Sequence, residues 1–269
     1  MKKFLSLVLA LVMTMSLVTI SAGAKEFTDD ADITYDEAVA VISEIGVVDG
    51  YADGKFNPTS GLTRGAAAKI ICNLILGPTT AAELHADTAP YPDVPLSNDF
   101  SGYIAYCAKE KIISGYADGT FKPNQNITRA QFAVMLYRYL GLDESKYAGV
   151  TLPFADNDKI ADYAVPAIKA LYTEGIINGT TGSDGRLYFN PNNSLTRAQA
   201  ATMIGRTQPK GYAAVELTFT DAGSIPAYAT YYIQTMAAQG IISGYNDGSF
   251  KPQANITRGQ MAKILYTLM

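Results

Sequence analysis

Tryptophan is absent from this chain, histidine occurs once (His85) and cysteine twice (Cys72 and Cys107). A single histidine on a connector and two cysteines inside apolar helical patterns provide no nucleophile–base spacing, so the sequence shows no catalytic machinery and no enzyme is expected. Two cysteines do not make a disulfide framework either; they read as small buried side chains rather than as a bridge. Charge is also sparse, with 21 basic against 25 acidic side chains and a formal charge of −4, which is not the footprint of a nucleic-acid binder. Beyond the N-terminus no run of ~18 apolar residues occurs, so nothing later in the chain is expected to span a bilayer.

The N-terminus itself reads as an export signal. Lys2 and Lys3 form a positive n-region, Phe4 to Ile20 is largely apolar, and Ala22-Gly23-Ala24 is a small-residue cleavage site. A cut after Ala24 removes two lysines and no acids, leaving 19 basic against 25 acidic side chains, a charge of −6. The remaining chain is long and apolar enough to bury a core unaided.

What the chain does contain is one passage written four times. GVVDGYADGKFNPTSGLTR ends at Arg64, KIISGYADGTFKPNQNITR at Arg129, GIINGTTGSDGRLYFNPNNSLTR at Arg197 and GIISGYNDGSFKPQANITR at Arg258. The arginines lie 65, 68 and 61 positions apart, and four of the chain's seven arginines hold this one position. Such self-similarity marks a repeat architecture. The units are read as 27–77, a divergent first copy, then 91–141, 154–207 with a loop insertion, and 219–269, behind a signal peptide at 1–24.

Each unit opens with an aromatic residue two places before an aspartate: Phe27 and Asp29, Tyr91 and Asp93, Phe154 and Asp156, Phe219 and Asp221. A first helix follows; in the third unit Ala164, Ala167, Ile168 and Leu171 share one face by the i, i+3, i+4, i+7 rule. Gly46, Gly175 and Gly240 close it in the left-handed C′ conformation, with Lys111 standing there in unit two. An Asp-Gly turn, a phenylalanine and a proline then define an ordered loop. Thr63, Thr128, Thr196 and Thr257 cap a second helix, and Gln131, Gln199 and Gln260 complete capping boxes that Ala66 cannot. Offsets +3, +6, +7 and +10 from each arginine place one apolar face on that helix. A helix-loop-helix of this size cannot bury such faces alone, so the copies are expected to pack on one another as an all-α assembly with little or no sheet.

The arginines occupy the first helical position, where the helix dipole and free N–H groups favour negative charge. A cation repeated there calls for a partner. An external anion held by the guanidinium fork and the open amides fits, and so does an internal ion pair with the early aspartate or the Asp-Gly loop.

The ordered block Gly115-Tyr116-Ala117-Asp118-Gly119-Thr120-Phe121-Lys122-Pro123-Asn124 followed by Ile127-Thr128-Arg129-Ala130-Gln131 strongly resembles the S-layer homology (SLH) domain family. The resemblance covers essentially all of residues 27–269. It implies a pseudo-threefold bundle of helix-loop-helix units and non-covalent attachment to acidic, pyruvylated secondary cell-wall polysaccharide. It further implies that the tetrad arginines Arg64, Arg129, Arg197 and Arg258 contact the acidic group in grooves between units. The polysaccharide-binding set is completed by Asp29, Asp93, Asp156 and Asp221, and by Tyr35, Phe100, Tyr163 and Tyr228, which stand near the place of the family's tryptophan. Each of those aromatics can stack on a sugar or pack in the core, and core packing is favoured.

The chain departs from the family in lacking that tryptophan, in having Ala66 or glutamine for the tetrad acid, and in the four extra loop residues of unit three, where Thr180 replaces the loop tyrosine. Four units instead of three leave open which of them close a bundle. The expected protein is a non-catalytic component of the bacterial cell surface, with self-assembly as an S-layer or envelope protein as the alternative and wall hydrolysis behind both. No cofactor or metal is expected: Asp49-x-x-x-Asp53-Gly54 is echoed in no other copy, and Ser60 stands where a calcium loop needs glutamate. Cell-wall polysaccharide is the expected partner, with other copies or envelope proteins possible in addition, and no membrane once the signal is removed.

Overall fold

The structure is a computed structural model that describes residues 26–48, 50–51, 53–209 and 211–268. The signal peptide at 1–24 and Asp49 lie outside them. Nine α-helices run through the described chain: α1 (Asp36–Glu44), α2 (Arg64–Leu76), α3 (Pro78–Ala82), α4 (Ser101–Lys109), α5 (Arg129–Leu140), α6 (Val165–Thr173), α7 (Arg197–Gly205), α8 (Ala227–Ala238) and α9 (Arg258–Leu268). Among the described residues the only sheet is a hairpin of β1 (Thr180–Thr181) and β2 (Leu187–Tyr188), paired Thr180 to Tyr188 and Thr181 to Leu187. The extra residues of unit three build this hairpin. The connector at Pro78 is not irregular throughout, because proline at the first helical position starts the short α3.

Two compact units are present, one formed by the residues up to Ser60 with Thr257–Met269, the other by Gly61–Ile256. In the first, α1 packs against α9. In the second, α2 packs on α4, α5 on α6 and α7 on α8. The second helix of a repeat therefore lies on the first helix of the following repeat, and that swap is how faces that no single copy can bury are covered.

The two helices of a repeat differ in burial. On α6 the face of Ala167, Ile168 and Leu171 is fully covered, as is Ala164 just ahead of it, while Thr173 is exposed. The second helices are not merely one-faced: on α5 the nine residues from Arg129 to Tyr137 are all buried. The apolar face ends early, since Tyr139 at offset +10 is exposed.

The caps follow the sequence. The Thr128, Thr196 and Thr257 side chains accept from the glutamine amides three residues on, and Gln131, Gln199 and Gln260 accept from the threonine N–H in return. Thr63 accepts from Ala66 N alone. Gly46, Gly175 and Gly240 adopt φ of 74°, 69° and 67°, and Lys111 is held in the same left-handed region at 54°.

The opening aromatic and aspartate form one staple in every repeat. Phe27, Tyr91, Phe154 and Phe219 lie 5.3 to 5.5 Å, ring centre to ring centre, from Phe56, Phe121, Phe189 and Phe250 of their own loops. The aspartate then accepts two consecutive loop amides; Asp93, for instance, takes Phe121 N at 2.8 Å and Lys122 N at 2.7 Å. The second amide belongs each time to a residue at positive φ: Asn57, Lys122, Asn190 or Lys251. Two charge-assisted bonds thus hold a backbone conformation that costs about 1 kcal/mol or more in a non-glycine residue.

Within Gly61–Ile256 the residues preceding the four capping threonines join in a cycle. Ile127 N–H donates to Leu62 O (2.8 Å), Leu195 to Ile127 (3.1 Å), Ile256 to Leu195 (3.2 Å) and Leu62 to Ile256 (3.0 Å). Four tetrad segments close this ring, not the three that the resemblance implies. Each segment uses both its N–H and its C=O, so none presents an unpaired edge.

Candidate functional site

The tetrad arginines enter the structure buried. Arg64 is 1%, Arg258 2%, Arg197 5% and Arg129 6% exposed. Each reaches into the loop of the following repeat, with the last reaching the first. Arg64 donates through Nε to Phe121 O (2.7 Å) and through Nη2 to Ser114 O (2.8 Å). Arg197 makes the equivalent pair to Phe250 O and Ser243 O, and Arg258 donates to Phe56 O. Arg129 donates to Asn178 O.

Aromatic faces complete the sockets. The Arg64 guanidinium lies 4.7 Å from the Tyr116 ring centre and 4.3 Å from that of Phe121. Arg197 lies over Tyr245 and Phe250, and Arg258 over Tyr51 and Phe56. Arg129 has Phe189 alone, at 4.9 Å, because unit three carries Thr180 where the others have tyrosine. The loop tyrosines were visible as part of the Gly-Tyr-x-Asp-Gly motif, but nothing in one repeat shows that they cover the arginine of another.

These contacts revise the expectation about helix starts. The first amides of the second helices are not open to an anion: Arg64 N donates to Gln125 O and Gly65 N to Pro123 O, and the same pairing recurs at Arg129, Arg197 and Arg258. Carbonyls of a neighbouring loop satisfy the helix terminus, so only the guanidinium and the rings around it remain for a ligand.

The internal-pair alternative does not describe Arg64 or Arg129. Their partners are neutral carbonyls and rings, and among the described residues neither has a carboxylate within ion-pair distance. One nitrogen of each, Arg64 Nη1 and Arg129 Nε, is buried with no acceptor among the described residues. Burial pushes the Arg129 guanidinium down to about 10, so it stays charged at neutral pH.

The aspartates of the candidate set, Asp29, Asp93, Asp156 and Asp221, are occupied by the loop staple, each through both carboxylate oxygens. Burial alone would raise the Asp93 carboxyl; the Phe121 and Lys122 amides outweigh it and hold it below the ordinary carboxylate value.

The four aromatics divide. Tyr163, from the start of the third unit's first helix, stands near Arg64; burial drives its hydroxyl up to about 12 against the opposing pull of that cation. Tyr228, from the fourth unit, stands near Arg129 and is 44% exposed. Arginine, loop and aromatic thus come from three successive repeats around both Arg64 and Arg129. Tyr35 and Phe100 precede α1 and α4 and are half-buried, and Phe100 packs so closely on the first turn of α2 that a side chain at Gly65 would meet its ring.

Beside Arg129 stands a second cation. Arg206, at offset +9 from Arg197, has its counterpart in Arg138 of unit two, while units one and four have Asn73 and Thr267 there; it donates through Nη1 to Ile176 O at 3.2 Å. The Asn178 amide, turned with its oxygen toward the guanidinium, accepts from Nη2 at 3.2 Å. Asn178 therefore links the two arginines, its carbonyl on Arg129 and its side chain on Arg206. Among the described residues no three His, Cys, Asp or Glu side chains converge as a metal site, and no helix is long and apolar enough to cross a membrane.

Helix-loop-helix copies interlocked through buried arginines define a tandem-repeat module. The S-layer homology domain model matches four times, at residues 26–68, 90–133, 153–201 and 218–262, and the chain belongs to that family. It is 34% identical over 194 residues to an endoglucanase of Bacillus sp. (strain KSM-635), covering 70% of this chain and 19% of the relative. It is 32% identical over 184 residues to a cellulosome-anchoring protein of Acetivibrio thermocellus, covering 65% and 38%. With the surface-layer 125 kDa protein of Lysinibacillus sphaericus the identity is 28% over 209 residues, covering 77% and 17%. The chain thus spans well under half the length of these relatives. The shared region is the SLH array, an anchoring module, and it places the chain at the bacterial cell wall or S-layer.

Proposed function

We propose that the chain, exported and cut after Ala24, attaches non-covalently to the cell wall by binding the acidic groups of a secondary polysaccharide, without catalysis. The observation that carries this reading is that the buried guanidinium groups of Arg64 and Arg129 make no ion pair among the described residues, Asp93 and Asp156 acting on them only at longer range, and that each has a nitrogen no protein acceptor meets. A buried cation without a direct ion-pair partner is costly, and a carboxylate-bearing sugar beside it offsets that cost. The Arg129 cleft suits it best: Thr180 leaves it without a tyrosine cover, Tyr228 offers an exposed ring, and Arg206 adds a second cation. A pyruvyl substituent is the kind of compact carboxylate that two guanidinium groups would select.

Co-sedimentation of the mature chain with purified walls, before and after the secondary polysaccharide is stripped, tests the reading. Pelleting is expected only with unstripped walls, and Arg129→Ala is expected to weaken it more than Arg64→Ala. Equal pelleting with stripped peptidoglycan refutes the proposal.

A further inference from the structure

A cleft of about 300 Å³ opens where Gly175 at the end of α6, the end of α7 and the middle of α8 meet, at the lower end of the size range of ligand sites. Its character is aromatic and amide, with one cation and one carboxylate. Tyr212, Tyr231 and Tyr232 line it, together with Arg206, Gln208, Gln239 and Glu174, whose carboxylate already accepts from the Tyr147 hydroxyl. Tyr231 is 49% and Tyr212 42% exposed, large ring areas left in water. Tyr231 and Tyr232 are set edge to face, 5.4 Å apart, and the Arg206 guanidinium lies 5.3 Å from the Tyr232 ring centre. Buried Met236 also contributes to the lining.

The polar groups are only half used. Gln239 donates from Nε2 to Thr235 O and Gln208 from Nε2 to Thr207 Oγ1, and among the described residues neither amide oxygen has a donor. Open tyrosine faces suit the C–H face of a pyranose, while amide oxygens suit its hydroxyls, which donate as readily as they accept. A purely anionic ligand would call for more than one cation, and a lipid chain for an unbroken apolar lining. Asn178 ties Arg206 to Arg129, its side-chain oxygen on the first and its backbone carbonyl on the second.

From this we infer that the Tyr212–Tyr231–Tyr232 cleft is a neutral-sugar subsite that holds the residue next to the acidic sugar in the Arg129 cleft, with Arg206 as the shared wall. It rests on the polysaccharide reading for the identity of the polymer. The ring and the amides supply contacts that do not depend on the acidic group.

The test uses polysaccharide released from purified walls, in native form and with its carboxylates converted to amides, titrated by calorimetry against the mature chain. Tyr231→Ala is expected to weaken binding of both polymers by about threefold to tenfold, and Tyr231→Phe to restore it. Gln239→Ala is expected to weaken both as well, and Arg129→Ala only the native polymer. If Tyr231→Ala and Gln239→Ala bind both forms like the parent, or lose only the native form, the neutral subsite is refuted. Loss of both forms in Tyr231→Ala with no effect of Arg129→Ala would overturn the acidic-group reading and leave the subsite standing. Because Tyr231 is half exposed, its variants are expected to melt with the parent, which separates lost contact from lost fold.

Discussion

Replacing Arg64 and Arg129 in turn by methionine, which keeps much of the length and removes the charge, separates the latch from the ligand site. Arg64 holds Phe121 O and Ser114 O and lies over two rings, so its loss strands two inward-facing carbonyls and two cation–π contacts. Hydrogen bonds to a charged group contribute about 1.5–3 kcal/mol each, and a desolvated cation–π contact up to about 2 kcal/mol. Removing a buried charge returns part of that sum. The net expectation for Arg64→Met is a loss of about 2–4 kcal/mol, or about 5–15 °C in Tm for a chain of this size. Arg129 has one carbonyl and one ring, so Arg129→Met is expected to cost about half as much. Wall binding should rank the other way, with Arg129→Met the weaker binder, since its cleft is the less covered one. Thermal or urea unfolding measures the first ranking and co-sedimentation the second. The same order in both assays, with binding tracking stability, would refute the division of roles.

Asp93→Asn keeps the shape of the loop staple but removes its charge, and is expected to cost about 1–3 kcal/mol in urea unfolding. Because the Asp93 carboxyl is lowered in the fold, its contribution is complete above the unfolded value of about 3.9 and is lost as pH falls through the folded value. Tm measured downward from pH 5 should therefore fall more steeply in the parent than in Asp93→Asn. Lys111→Gly relieves the one first-helix terminus where a side chain sits at positive φ, and is expected to stabilise by about 0.5–1 kcal/mol in the same unfolding assay. Cys72 and Cys107 are free and buried with their sulfurs 3.6 Å apart, and their mutual hydrogen bond and burial both raise the Cys107 thiol. A thiol reagent should find neither in the native chain and two after unfolding; none after unfolding would show that they are bridged.

The capping boxes, the left-handed closures at Gly46, Gly175 and Gly240 and the helical class are legible in the sequence because each rests on residues within a few positions of one another. Lys111 is instructive here: the pattern names it as the odd copy, and the backbone takes the strained conformation all the same. Reading the early aspartates and the loop phenylalanines separately conceals that they are one staple, since some 27 residues of chain divide them.

What only the tertiary structure decided is where each arginine goes. Its partners belong to the following repeat, and the tyrosine within electrostatic reach, Tyr163 for Arg64 and Tyr228 for Arg129, to the one after that. No local rule reaches so far, because periodicity reports which face of a helix is buried but not what covers it. Closure by four segments is of the same kind: the sequence by itself determined that four equivalent edges exist, and the geometry of hydrogen-bonding each to the next determined that the fourth meets the first.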